Sequence, residues 1–307
     1  MKIFESLTVP EKFPNPVLTI GNYDGIHIGH KEIIERVKER ARAIEGTSML
    51  MTFEPHPMSV LKPDKFIGVI TPIYMKKRLI EESGIDVLII IPFTPEFRMI
   101  SADRFVKDVL VGGVEIKELF VGYDFRFGKD GTGNTLLLQH LSEEYGFSFH
   151  IVEAITLKGD KIGSNAIRKF IQKGDMARVK EFLDRPFMID GTVIEGSKRG
   201  QEMGFPTINI ETHFTLIPGR GVYISEVETG EGRYPSVTNI GYNPTFRDKR
   251  FSIETHMLNF HGDLYGHKVT IVFHERIRDE KRFGTVDALI KRITMDVDIA
   301  RKYFGII

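Results

Sequence analysis

Gly21-Asn22-Tyr23-Asp24-Gly25-Ile26-His27-Ile28-Gly29-His30 is the stretch whose reading decides the fold. It follows an apolar run, Val17-Leu18-Thr19-Ile20, that reads as a buried strand. It precedes Lys31-Glu32-Ile33-Ile34-Glu35-Arg36-Val37, whose apolar residues recur at helical spacing. A glycine-rich turn therefore joins a strand to a helix start. Glycine at 25 and 29 lets backbone N–H groups approach a ligand closely. The helix start offers unpaired donors and a positive dipole end, which suits a phosphate. His27 and His30 can add ring donors to the same anion. The stretch holds no Walker lysine, so imidazoles would do the holding. As a bare pattern, the same residues also suit a tight turn with two surface histidines.

Outward from this turn the first half alternates strand-like and helix-like segments. Strands are expected at Val17–Ile20, Ser48–Phe53, Val87–Ile91, Glu118–Val121 and Phe147–Val152. One helix should begin at Thr71-Pro72, a cap residue followed by proline in the first turn, and run to Ser83. Others are expected from Ser101 to about Leu110 and from Thr135 to Tyr145, before Gly146. That order predicts a doubly wound parallel sheet with its ligands at the carboxyl ends of the strands. Three more segments carry chemistry. Phe53-Glu54-Pro55-His56-Pro57 ends a strand in a proline-stiffened loop. Gly122-Tyr123-Asp124-Phe125-Arg126-Phe127-Gly128 ends another, with aromatics for a planar ring and Asp124 for its polar edge. Lys161-Ile162-Gly163-Ser164-Asn165-Ala166-Ile167-Arg168 should open a second helix, where Ser164 or Asn165 can cap and Arg168 can clamp a pyrophosphate.

The rhythm changes after about residue 185. Short strands are expected at Phe187–Ile194, Phe205–Ile210, Val222–Val227, Tyr234–Ile240, Ser252–Leu258 and Lys268–Phe273, then a helix over Thr285–Phe304. This predicts a small antiparallel barrel closed by a C-terminal helix. The expected domains are 1–158, a helical connector over 159–184, and 185–307. Gly191 to Lys198 is a near miss for a P-loop, because it ends Ser-Lys and no apolar helix follows. Thr207 and Asn209 alternate on a strand, so both oxygens face one side and suit Mg²⁺. Glu254 and His256 share a strand face, and Glu254 could take a hydroxyl proton there. It could equally be a surface strand residue.

At 307 residues the chain suits two domains that each bury a core, and 41% hydrophobic with 27% charged residues is a soluble globular composition. Lys+Arg and Asp+Glu both number 42, which argues against a nucleic-acid partner. With no cysteine there are no disulfides, thiol nucleophiles or cysteine–zinc sites. No signal-peptide core is seen at the N-terminus, and Val87–Phe93 is far shorter than the roughly 20 residues of a membrane helix. A cytoplasmic protein without an obligatory protein partner is expected.

Gly21–His30 resembles the His-x-Gly-His signature of nucleotidylyltransferases, and with Tyr23-Asp24-Gly25 it resembles the bacterial FAD synthetase branch. The Pro-His-Pro and Gly-x-Asp-Phe-x-Phe-Gly segments resemble the same family. Arg199-Gly200 through Gly204-Phe205-Pro206-Thr207-Ile208-Asn209 resembles the riboflavin kinase module. So do Pro218–Tyr223, Asn239-Ile240-Gly241 with Pro244-Thr245-Phe246, and Tyr265-Gly266 through Phe283. Resemblance thus runs along almost the whole chain, to the bifunctional riboflavin kinase/FAD synthetase family.

That resemblance implies two reactions: Mg-ATP phosphorylates riboflavin to FMN, and ATP then adenylylates FMN to FAD with release of pyrophosphate. It implies ATP contacts at Gly21, Asn22, Tyr23, Asp24, Gly25, Gly29 and Ser164, with His27, His30 and Arg168 catalytic. The flavin of that step would meet Phe53, Pro55, His56, Pro57, Asp124 and Phe125. In the kinase half it implies ATP contacts at Gly191, Val193, Gly196, Lys198, Gly204 and Pro206, and metal at Thr207 and Asn209. Glu254 would be the base, and Arg278 and Phe283 would hold the flavin. The chain departs from the family pattern at Gly163 (usually serine), Asn165 (threonine), Ile208 (alanine) and Asn243 (arginine). Other readings keep adenylyl transfer with another acceptor, such as nicotinamide mononucleotide or phosphopantetheine, or make the chain a flavin-storage protein. The barrel argues against the first. His27, His30 and Arg168 argue against the second.

Overall fold

The apolar runs become strands of two separate sheets. A computed structural model describes residues 1–196, 199–242 and 251–306. The chain divides into one unit over Met1–Ser164 and a second over Asn165–Ile307.

In the first unit, β1 (Lys2–Phe4), β2 (Pro16–Ile20), β3 (Thr47–Glu54), β4 (Val87–Pro92), β5 (Glu118–Gly122) and β6 (Ser148–Val152) form one sheet in the order β1-β4-β3-β2-β5-β6. Every neighbouring pair is parallel. Its helices are α1 (Ile28–Ala43), α2 (Pro57–Leu61), α3 (Ile73–Glu82), α4 (Ala102–Arg104) with a π-helical continuation over Phe105–Val114, and α5 (Thr135–Tyr145). One face of the sheet packs Leu18, Met49 and Ile89 with Phe105, Leu110 and Leu138. The other packs Val17, Leu50 and Leu88 with Ile34, Val37 and Ile80. Cover on both faces is why these strands read as continuous apolar runs rather than alternating ones. The chain leaves β2 toward β3 and later returns to β5 on its other side. Ligands of doubly wound sheets gather at such a reversal, and the turn that opens at Gly21 lies there.

The structure revises some boundaries. β1 was not expected, since a three-residue edge strand carries no period. At α3 the cap is Pro72, not Thr71, because the Thr71 amide is drawn to the Asp24 carboxylate at 3.0 Å. The helix after Ser101 runs past Leu110 through a glycine pair to Val114, and Glu115 ends it in the left-handed region. The connector opens not as helix but as a hairpin of β7 (Thr156–Leu157) and β8 (Asp160–Lys161). Lys158 and Gly159, both at positive φ, make its two-residue turn.

In the second unit, α6 (Ser164–Lys173, its first residue in the first unit) and α7 (Met176–Leu183) precede the barrel. The barrel strands are β9 (Phe187–Ile194), β10 (Ile208–Glu211), β11 (Gly221–Thr229), β12 (Gly232–Gly241), β13 (Ser252–Met257) and β14 (Lys268–Arg278), with α8 (Arg199–Glu202) between the first two. They close antiparallel in the order β10-β13-β12-β11-β14-β9. β10 starts at Ile208 rather than Phe205, because α8 and Gly204 at φ 84° occupy the approach. Inside, Ser225, Thr238 and Thr255 link hydroxyls across three strands at 2.7 and 2.9 Å, so buried polar groups satisfy one another. The C-terminal helix α9 (Val286–Phe304) is capped by the Thr285 side chain and packs Val297 and Ala300 against Val222 and Ile224.

Candidate functional site

The turn after β2 leaves ordinary backbone space. Tyr23 (φ 45°), Gly25 (φ 98°) and Ile26 (φ 42°) all lie in the left-handed region. A β-branched residue there is strained, and such strain persists only where surrounding structure imposes it. Asp24 supplies one restraint. It is fully buried and accepts from the Ile70 and Thr71 N–H groups, each at 3.0 Å. Tyr23 supplies another, with its ring buried and its hydroxyl 2.6 Å from Thr19 Oγ1. Burial pushes the Tyr23 phenol well above its usual pKa. These two side chains are thus committed inside the unit, where they restrain the turn. Asn22 contributes its carbonyl, which accepts from Thr52 Oγ1 at 3.0 Å and Lys76 Nζ at 2.8 Å. Lys76, buried on α3, was missed in the sequence, where it is one of two adjacent lysines on an amphipathic helix.

The turn ends at His27, the N-cap of the 16-residue α1, where Nδ1 accepts the His30 N–H at 3.2 Å. With Nδ1 accepting, the proton of neutral His27 sits on Nε2. His30 stacks on His27 with ring centroids 3.6 Å apart and tilts against Tyr23 at 4.8 Å. His30 Nδ1 is buried and has no hydrogen-bond partner. Burial first, then the charges of His27 and Lys76, hold the His30 pKa well below the usual imidazole value, so the ring is neutral at pH 7. A Cβ at Gly29 would stand 3.2 Å from His27 Nδ1, so glycine leaves that ring its room. One at Gly21 would stand 3.2 Å from the Tyr23 ring. An unused ring nitrogen at a helix N-terminus is a fit partner for an anionic oxygen.

Ser164 Oγ donates to the Asp24 carbonyl at 2.7 Å, which ties the start of α6 to the same turn. Arg168, one helical turn on, is buried and donates to Asn165 Oδ1 at 3.3 Å. A Cβ at Gly163 would meet nothing within 4 Å, so packing does not demand that departure from serine.

At the end of β3 a cis Glu54–Pro55 bond leads to His56. His56 caps α2, accepting the Met58 N–H on Nδ1 at 3.1 Å, and stacks on Phe66 at 4.8 Å. That ring serves the local fold. Phe53 begins a row of rings: Phe53–Phe97 at 5.9 Å, Phe97–Phe105 at 6.1 Å, Phe105–Phe127 at 5.9 Å and Phe127–Phe125 at 5.5 Å. The row joins the two segments expected at the flavin. Phe93 flanks it, 5.9 Å from Phe53. Phe93 and Phe97 had no motif to mark them. The Asp124 carboxylate is exposed, accepts from the Tyr123 hydroxyl at 3.1 Å, and lies 3.9 Å from Lys161 Nζ.

The second unit has a cavity lined by Thr207, Asn239, Glu254, Arg278, Phe283 and Asp296. Asn209 is the register partner of Glu254 across β10 and β13. Ser252 Oγ donates to Glu254 Oε1 at 3.2 Å. Glycines allow close approach here. A Cβ on Gly196 would stand 2.6 Å from Asn209 Cγ, and one on Gly200 would stand 3.1 Å from Thr207 Oγ1. A Cβ on Gly191 would run into Ile210 and the Glu211 carbonyl. The Val193 side chain is buried in β9, so only its backbone could meet a ligand. The Pro206 carbonyl accepts from His256 Nδ1 at 2.7 Å, and burial lowers the His256 pKa. Arg278 lies over the Phe283 ring at 5.7 Å. Asp296 of α9 is buried and pairs with Arg278 at 2.8 Å and Arg292 at 2.9 Å. It was missed in the sequence, because a carboxylate on a helix gains meaning only when the helix docks. Lys198, with Ser197, and Asn243, with Pro244-Thr245-Phe246, lie outside the described residues.

Among the described residues, no group of three or more His, Cys, Asp or Glu could hold a metal, and no helix is long and apolar enough to cross a membrane. The metal expected at Thr207 and Asn209 would rest on hydroxyl and amide oxygens instead. Those are hard donors of the kind Mg²⁺ takes alongside phosphate oxygens.

A model of the FAD synthetase family matches residues 9–166, and a model of the riboflavin kinase family matches residues 183–304. The chain is 37% identical to the bifunctional riboflavin kinase/FMN adenylyltransferase of Escherichia coli, over 94% of this chain and 93% of that one. It is 35% identical to the protein of the same name from Bacillus subtilis, over 97% and 95%. A crystal structure described as a macrolide-efflux protein from Streptococcus pneumoniae superposes with a TM-score of 0.84 at 27% identity, covering 96% of this chain and 99% of that one.

Proposed function

The chain belongs to the bifunctional riboflavin kinase/FMN adenylyltransferase family, and from that premise we propose which residues carry each reaction. It is a transferase with two activities. The riboflavin kinase domain makes FMN, and the FAD synthetase domain converts FMN to FAD. The observation that carries the assignment is that each unit has its own donor set fit for a nucleotide's phosphates: the stacked His27–His30 pair in one, and Thr207 and Asn209 beside Glu254 in the other.

In the first unit, an FMN phosphate oxygen attacks the α-phosphorus of ATP, and the bond to the bridging oxygen breaks to release pyrophosphate. His27 Nε2–H, the His30 ring and the α1 amides hold the phosphates. Arg168, which lies on α6 and not among that unit's residues, is the candidate cation for the leaving pyrophosphate, as the family resemblance implies. Asp24, Tyr23 and Ser164 hold the turn in place. The Phe53-to-Phe125 row stacks the isoalloxazine, and Asp124 takes its polar edge. No covalent enzyme intermediate is needed, so catalysis is positioning and charge stabilisation.

In the second unit, Glu254 accepts the proton of the riboflavin hydroxyl as that oxygen attacks the γ-phosphorus of ATP, and the bond from that phosphorus to the β–γ bridging oxygen breaks to release ADP. Thr207 and Asn209 would hold Mg²⁺, which supplies charge neutralisation on the phosphates when bound. Gly191, Gly196, Gly200 and Gly204 let the loop lie close to the nucleotide. Arg278, fixed by Asp296, and Phe283 hold the flavin. ATP and flavins are the ligands this chemistry needs, and the cytoplasm is the compartment that supplies them.

The test is a paired chromatographic assay of two variants with two starting flavins. Glu254→Gln should slow riboflavin to FMN by about 10²–10⁴ while FMN to FAD persists. His30→Ala should slow FMN to FAD by about 10²–10³ and let FMN accumulate from riboflavin. If Glu254→Gln abolishes both steps in a folded protein, the two-site assignment is wrong.

A further inference from the structure

Lys76 is a buried cation to which the two reactions above assign no task. It is 3% exposed on α3. Its Nζ donates to the Asn22 carbonyl at 2.8 Å and lies 3.4 Å from Thr52 Oγ1, which donates to that same carbonyl at 3.0 Å. Burying an ammonium costs free energy, and an apolar side chain on this inward face of α3 would carry no such cost. Asp24 and Glu54 both favour its charged form, against the desolvation that lowers its pKa. Neither hydrogen bond closes α3 on itself. Both oxygens belong to β2's turn and to the end of β3, the backbone around the histidine pair.

We propose that Lys76 is a positioning residue for adenylyl transfer, holding the Asn22–His27 turn through the Asn22 carbonyl and setting a fixed positive charge behind the histidine pair that meets the nucleotide's phosphates. The inference rests on the site assignment above. Its logic is a division of labour. An anion site needs positive charge, but an imidazolium charge near neutrality comes and goes with pH. Lys76 supplies the charge from below, and His30 stays neutral with its Nδ1 free. The groups facing His30 are His27 and Tyr23 from the turn and Lys76 from α3. Those facing Lys76 are Asp24 from the turn and Glu54 from β3. Without Lys76, His30 keeps its burial and its His27 neighbour but loses one repulsive charge, so its pKa rises.

The experiment uses Lys76→Met in the full chain, with three readouts from one preparation. The ATP KM for FMN to FAD should rise about tenfold or more, the cost of one lost charge contact. The His30 imidazole titration, followed by NMR, should move up. Riboflavin to FMN should be unchanged, which certifies the preparation. Thr52→Val removes the shared hydroxyl and keeps the charge. It should raise the ATP KM less and leave the His30 titration in place, a split that a merely structural lysine would not produce. If Lys76→Met does not fold, Lys76→Gln keeps a donor without the charge and should show the same titration shift. An unmoved His30 titration with wild-type ATP KM in either lysine variant overturns the inference. His30→Ala keeping wild-type FAD formation would instead overturn the site assignment beneath it, so the two failures are distinguishable.

Discussion

Replacing Asp24 separates two views of the turn. The family resemblance makes it an ATP contact, whereas the structure buries its carboxylate against the Ile70 and Thr71 amides at 3.0 Å. In Asp24→Ala both N–H groups lose a charged acceptor in a place water does not reach. Hydrogen bonds to charged groups are worth about 1.5–3 kcal/mol each, so two of them give about 3–6 kcal/mol. Lys76 would also lose a favourable neighbour, which adds to the cost. Asp24→Asn keeps one acceptor oxygen and should lose about half as much. The measurement is urea unfolding of both variants followed by circular dichroism, with FMN-to-FAD kinetics on the same samples. Expected are a lower unfolding midpoint for Ala than for Asn, and FAD formation that falls as the turn loosens. Unfolding identical to wild type, with only the ATP KM raised, would show that Asp24 faces the nucleotide and that the restraint argued here is wrong.

Gly196→Ala places a methyl against the Asn209 amide, 2.6 Å from its Cγ. Displacing that amide should cost about one charge-assisted contact, roughly 10–100-fold in riboflavin phosphorylation, with FAD formation from FMN untouched. Wild-type kinase kinetics would remove Asn209 from the metal site. Arg168→Ala should slow adenylylation strongly, and Asn165→Thr, which restores the family residue, only modestly. Steady-state FAD formation by both variants checks this, and an unaffected Arg168→Ala would move the clamp elsewhere. At the other end of the first sheet, the Arg40 guanidinium on Glu118, helped by His150 and opposed by burial, holds that carboxyl below its usual 4.5. A folded pKa below the unfolded one gives stability above 4.5 that is lost as pH falls through the folded value. Unfolding midpoints should therefore drop on acidification below about pH 4.5, and Glu118→Gln should flatten that limb. An unchanged limb in the variant would assign acid sensitivity to other carboxylates.

The sequence alone determined what depends on neighbours a few residues apart. Strand and helix runs and the glycine stop at Gly146 are local periodicities and local turn chemistry, so they are legible in one dimension. Parallel and antiparallel halves followed from how those runs alternate. Tertiary structure decided what depends on which surfaces meet. Asp24 reaches amides 46 and 47 residues away, Lys76 reaches a carbonyl 54 residues back, and Asp296 reaches Arg278 from a helix that must first dock. Phe93 and Phe97 joined the aromatic row only once β4 lay beside β3. A buried charge or ring is chosen by partners distant in sequence, and the free energy that fixes it comes from desolvation and pairing, which leave no period along the chain.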